Sequence, residues 1–155
     1  MEKAALLLGA ILVFSMLAGC QMSRSPIDLD KFKTEAEAAG YTVTDATRTY
    51  TGGTTGDCMI AAKGSDHTEY QIEFVVVSTT EQAQTIYQEK HSEYEARIGT
   101  GSSSASVSFG NYSYYRLTTN GRYYVVSRTA NTFLFVEASE EYKSEIAEFI
   151  NSIGY

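Results

Sequence analysis

The chain has 155 residues, of which 19 are acidic and 12 basic, giving a net charge of −7. That balance disfavours binding to nucleic acid or to anionic lipid headgroups, and no cluster of lysine and arginine works against it. The length is that of one domain with a real hydrophobic core.

Met1-Glu2-Lys3 opens an apolar run from Ala4 to Ala18, interrupted only by Gly9 and Ser15. The run falls short of the roughly 20 residues a spanning helix needs, and its length suits the apolar region of a cleaved secretory signal. It ends in Leu17-Ala18-Gly19-Cys20, a small-residue pair before a cysteine, and here the chain resembles the lipobox of bacterial lipoproteins. The resemblance covers only the first twenty or so residues. It implies diacylglyceryl transfer to the Cys20 sulfur, with fatty chains of the palmitate type, removal of residues 1–19, and a short tether over 20–27. One acyl chain holds a protein only marginally, and two or three hold it firmly, at roughly 0.8 kcal/mol per buried CH₂. It further implies a bilayer as partner and a location on the outer, extracytoplasmic face of a membrane. Gln21 follows where an aspartate would signal inner-membrane retention. Removing one acid and one base with the signal leaves the net charge at −7. Cys58 is then a lone cysteine in an exported chain, set in the apolar stretch Cys58-Met59-Ile60-Ala61-Ala62, and reads as a small buried hydrophobe.

Residues 28–155 read as a single domain. Asp28 caps a helix to about Ala39, with Leu29, Phe32 and Ala36 at helical spacing and Gly40 as its stop. Strands follow over Tyr41–Tyr50, Asp57–Lys63 and Glu69–Val77, separated by the Gly52–Gly56 and Gly64–His67 turns. The third alternates at its start, Tyr70, Ile72, Phe74 and Val76 against Glu69, Gln71 and Glu73, the mark of a sheet with one dry face at least at this end. Ser78-x-x-Glu81 has capping-box spacing and opens a helix to about Ile98. Gly99–Ser106 reads as a mobile Gly/Ser-rich loop. Val107–Phe109, Tyr112–Thr119, Arg122–Arg128 and Thr132–Ala138 are strands, with Asn120-Gly121 a two-residue hairpin turn. Ser139 caps a final helix carrying Tyr142, Ile146, Phe149, Ile150 and Ile153. The fold class expected is α+β: a mainly antiparallel sheet of about six to seven strands with helices packed on one face. Two runs of three strands and a helix raise a duplicated βββα unit as an alternative.

Chemistry-bearing patterns are sparse. His67 and His91 are the two imidazoles, and no Gly-x-Ser-x-Gly elbow accompanies them. Asp66, His67 and Glu69 sit close together with no recognised metal spacing. Acids such as Glu81, Glu89, Glu93 and Glu95 fall on helix faces, and no dinucleotide or phosphate loop is present. No cofactor, metal or catalytic residue is therefore expected. Tyrosine is the oddity: Tyr112, Tyr114, Tyr115, Tyr123 and Tyr124 crowd one hairpin with Arg116, Arg122 and Arg128. As strand-favouring residues they suit cross-strand pairing. As interface-favouring residues, Tyr112, Tyr114, Tyr123, Tyr124 and Arg122 make a candidate recognition surface for an envelope protein or glycan. The functional expectation is a non-enzymatic, membrane-tethered binding or interaction domain. A small envelope hydrolase assembled only by folding, or a purely structural lipoprotein, are the alternatives.

Overall fold

A computed structural model describes residues 23–64 and 69–155. The apolar run, the lipobox with Cys20, and Asp66-His67 lie outside them. Helix α1 (Leu29–Ala38) begins where Asp28 Oδ1 accepts the Lys31 N–H at 2.8 Å, and the chain leaves it through Gly40 at φ 82°. Strands β1 (Thr42–Asp45) and β2 (Arg48–Thr49) keep one register on β3 (Thr55–Lys63), so the expected strand over Tyr41–Tyr50 is a single ribbon interrupted at residues 46–47. Strand β4 (Tyr70–Val76) leads to α2 (Thr80–Glu95).

The capping box at α2 lies one residue later than expected. Thr79 Oγ1 accepts from Gln82 N and Gln82 Oε1 accepts from Thr79 N, because threonine and glutamine meet the same spacing as Ser78 and Glu81. The Gly/Ser-rich stretch is also not all loop: β5 runs Ser103–Phe109 and pairs along its whole length with β6 (Tyr112–Thr119). Serine is a weak strand former alone, but a partner strand supplies the backbone bonds that hold it extended. Strands β7 (Arg122–Thr129) and β8 (Thr132–Ser139) follow. The turn between β6 and β7 holds Asn120 at φ 50° and Gly121 at φ 72°, as the Asn-Gly pair requires. A short 3₁₀ turn (Glu140–Tyr142) precedes α3 (Lys143–Ser152), and Ser139 makes no side-chain cap.

The eight strands form one antiparallel sheet in the order β1-β3-β4-β8-β7-β6-β5, with β2 also on β3. Helices lie on both faces of it, which corrects the one-faced expectation. Phe32 and Ala36 of α1 and Ile146, Phe149 and Ile150 of α3 share a core with Ile72, Phe74, Val125, Leu134 and Val136; Phe32 stacks on Phe74 at 4.6 Å. Ala83, Ile86, Tyr87 and Tyr94 of α2 pack on the residues between, Cys58, Val75, Phe133, Leu117, Tyr124 and Val126. The physical reason is parity. The runs Phe74–Val77, Tyr123–Val126 and Phe133–Val136 are apolar at odd and even positions alike, and such strands need cover on both sides.

The same placement does not show the duplicated βββα unit. A rotation exchanging the antiparallel neighbours β4 and β8 keeps each sheet face on itself. The helices that follow those strands, α2 and α3, lie on opposite faces.

The segment before α1 is fastened to the sheet. Arg24 N donates to Asn111 Oδ1 at 2.9 Å, and Asn111 Nδ2 donates to Arg24 O at 2.8 Å. The Arg24 guanidinium lies 3.7 Å over the Tyr112 ring and donates to Gly154 O at 2.9 Å. Among the described residues no helix is long and apolar enough to cross a membrane.

Candidate functional site

A helix with its side chains is about 10–12 Å wide, whereas seven strands at about 4.8 Å spacing span about 29 Å. Two helices cover one face of this sheet, but α2 alone serves the other, packed across β6, β7 and β8. Its two flanks are therefore left open, and each holds a depression.

The larger depression, about 610 Å³, lies between α2 and the β2 ribbon. Its floor is Gln71 and Glu73 of β4 with Phe135 and Glu137 of β8, and its walls are Arg48, Tyr50 and Lys90. Glu73 and Phe135 are cross-strand partners, which sets a carboxylate beside an aromatic ring. Most charges here are already matched. Glu93 accepts from Lys90 at 2.9 Å and from Arg97 at 2.6 Å, and these two cations hold its carboxyl below the usual range. Glu137 sits 3.4 Å from the same arginine.

Glu73 differs. Arg48 Nη1 approaches its Oε2 at 3.2 Å without the alignment of a hydrogen bond, and that buried oxygen has no other partner. Burial pushes the Glu73 carboxyl above its ordinary value, against the pull of Arg48 and Lys90 and with Glu137 adding to the rise. A carboxyl perturbed by burial in a cleft, with a basic group nearby, is the physical signature of a binding or reacting position.

The smaller depression, about 260 Å³, lies between α2 and the β5–β6 edge. Gln84, Tyr87, Gln88 and His91 form one side, with Ser106, Ser108 and Ser113 on the other. His91 rests edge-on to Tyr115 at 4.2 Å and lies 3.4 Å from Glu95 Oε1. Folding thus brings a histidine beside serines and a carboxylate. The hydroxyls are engaged elsewhere, however: Ser108 Oγ and Ser113 Oγ are 3.1 Å apart, and Ser113 Oγ accepts from Arg128 at 3.4 Å.

The tyrosine hairpin does not form the expected recognition surface. Tyr123 is fully buried, Tyr112 and Tyr124 are buried, Tyr114 is half-buried and Arg122 is exposed. With cover on both faces, both parities of the hairpin become core: Tyr123 joins the α1–α3 side and Tyr115 and Tyr124 the α2 side. Cys58 is a buried free thiol, and burial raises it above its usual range. Among the described residues no group of three histidine, cysteine or acidic side chains is placed to hold a metal ion.

The residues that line the open flanks, His91 apart, carry no motif in the sequence. Their signal was there: Gln71, Glu73 and Glu137 are the polar positions of β4 and β8 on the face carrying Val75 and Phe133, and only a half-covered face explains them.

No family model and no curated protein matches the chain. Among solved structures, a GTP binding regulator from Thermotoga maritima aligns over 86% of this chain and 89% of its own, with a TM-score of 0.50 and 18% identity. At that identity the likeness is one of fold.

Proposed function

We propose that the chain is a lipid-anchored, extracytoplasmic binding domain. Lipidated Cys20 holds it to the membrane, and the groove over Glu73 is its recognition site. The observation that carries the groove is the half-buried Glu73 carboxyl, whose buried Oε2 has no hydrogen bond and whose neighbour, Arg48, has a half-exposed side chain free to swing away. A ligand bearing an amine or guanidinium fits there, replacing Arg48 at Glu73 and laying its apolar part on Phe135. Leu17-Ala18-Gly19-Cys20 supports the anchor, and the short stretch from Cys20 to the fastened Arg24 supports a domain held close to the membrane.

Two measurements test the two parts. Metabolic labelling with an alkyne-bearing fatty acid should mark the chain and fractionate it with membranes. Cys20→Ser should lose both label and fractionation, and retention of the label would refute the anchor. Titrating the full chain with arginine methyl ester should shift the backbone resonances of Gln71, Glu73 and Phe135 in the wild type and not in Glu73→Gln. Equal shifts in both would refute the groove.

The hydrolase reading is second, favoured by the meeting of His91 with Ser106, Ser108 and Ser113. It requires fluorophosphonate labelling that His91→Ala abolishes. The engaged hydroxyls favour no labelling at all.

A further inference from the structure

The second flank of α2 poses the converse problem to the first. Arg128 of β7 is 4% exposed, and among the described residues no carboxylate is within ion-pairing reach of it. Nη1 donates to Ala130 O at 3.3 Å and Nη2 to Ser113 Oγ at 3.4 Å, while the buried Nε has no partner. A guanidinium keeps its charge under all ordinary conditions. Burying it without an anion is costly, and buried charges in folded proteins are nearly always paired. Among the described residues the titratable group facing Arg128 is the Tyr87 hydroxyl, itself pushed up to about 12 by burial in spite of Arg128. At neutral pH that phenol is neutral.

Arg128 lies directly behind Ser113, and Ser113 lines the pocket between α2 and β5–β6. Ser113 Oγ accepts from the guanidinium, so its own proton is available either to Ser108 or to a group in the pocket. A hydroxyl polarised by a cation is the stronger donor. The other polar groups around the pocket, Ser106, Ser108, Gln84 and Gln88, are uncharged and can donate. His91 Nε2 is buried and has no hydrogen bond. Glu95 Oε1 lies 3.4 Å from that nitrogen, but the Glu95 side chain is 54% exposed and can turn into solvent.

We propose that this pocket is a binding site for a small oxyanion, a carboxylate or phosphate, held by the Ser113 and Ser108 hydroxyls and His91 with Arg128 behind them supplying the charge. The site is distinct from the Glu73 groove and does not rest on it. Its volume of about 260 Å³ sets the scale: it takes a single acidic group with a short attachment, and a nucleotide is too large. A fixed cation one hydroxyl away from the site also offsets the repulsion that a net charge of −7 exerts on an anion.

The test uses the full chain in non-ionic detergent, with inorganic phosphate and acetate as probes and sodium chloride at matched ionic strength as reference. The readouts are the melting temperature and the side-chain Nε resonance of Arg128. The expected result is a saturable rise in melting temperature and a shift of that resonance, beyond chloride, with at least one probe. Arg128→Met should weaken the response at least tenfold. Gln88→Glu places a negative charge at the exposed mouth without touching the core, and should do the same even if Arg128→Met folds poorly. A response to phosphate alone assigns a phosphoryl ligand, to acetate alone a carboxylate ligand, and to both a general oxyanion site. No response beyond chloride with either probe, or a response that Gln88→Glu leaves unchanged, overturns the proposal.

Discussion

Tyr94 isolates one term of the packing under α2. Its side chain is fully buried, yet its hydroxyl has no hydrogen-bond partner, and burial drives the phenol well above its normal range. Its ring is well used: Tyr124 lies 5.1 Å away, and Lys90 and Arg97 approach its faces at 5.9 and 6.0 Å. Tyr94→Phe removes the hydroxyl and keeps every ring contact. An unpaired buried polar group costs about 1–3 kcal/mol, so the variant should gain about 1 kcal/mol or more, equivalent to roughly 4 °C in melting temperature for a domain of this size. Tyr94→Leu loses the aromatic pair and the cation contacts and should fall by about 1–2 kcal/mol. Urea unfolding of both variants, with the slope checked for constancy, provides the comparison. A Tyr94→Phe variant less stable than wild type by 1 kcal/mol would mean that the hydroxyl is satisfied after all, and the account of this core would be wrong.

Three further outcomes follow from named contacts. Glu73 has a folded-state pKa above its ordinary 4.5, so the native state holds this proton more tightly than the unfolded chain. Stability therefore falls as pH rises from about 4.5 through the folded value. Glu73→Gln lacks that loss, and its urea midpoint should exceed wild type by more at pH 7.5 than at pH 4; a gap that narrows with rising pH would contradict the assignment. A Cβ at Gly56 would sit 2.5 Å from Val75 Cγ1 and 3.2 Å from Tyr50 Cε2, so Gly56→Ala should cost about 1–3 kcal/mol by overpacking, read from thermal unfolding. Thr79→Ala removes half of the α2 capping box and should cost about 1 kcal/mol, while Ser78→Ala should cost little.

Most of the elements could be read along the chain, because their signals are local. Asp28, Gly40 and Asn120-Gly121 act through their own backbone angles and hydrogen bonds, and each does in the fold what its residue type dictates. The second dry face of the sheet has a cause equally present in the residues. Tyr70 to Val76 alternates only at its start, and the apolar parity is already doubled by Phe74-Val75. β5 was hidden because its pairing with β6 is a tertiary fact that serine-rich composition cannot announce. The open flanks of α2 were the least legible. They follow from counting helices against strands on each face, and the faces are known only when Cys58, Val75 and Phe133 are seen under one helix and Ile72, Phe74 and Val136 under two others. The tyrosines misled in the opposite sense: an amphipathic ring suits an interface and an interior equally, and here both sides of the hairpin are interior.

The fastening of Arg24 decides how the fold carries mechanical load. A pull on the chain ahead of Ser23 reaches Asn111, in the turn between β5 and β6, and Gly154 beyond α3 before it reaches α1. Force thus enters at the edge hairpin and the C-terminal segment together, through three hydrogen bonds and a stacked guanidinium. Helix α1 and the core around Phe32 bear tension only after that clasp has opened. By its position the clasp is built as a mechanical fuse, and under tension it is expected to open ahead of the sheet and both flanks of α2.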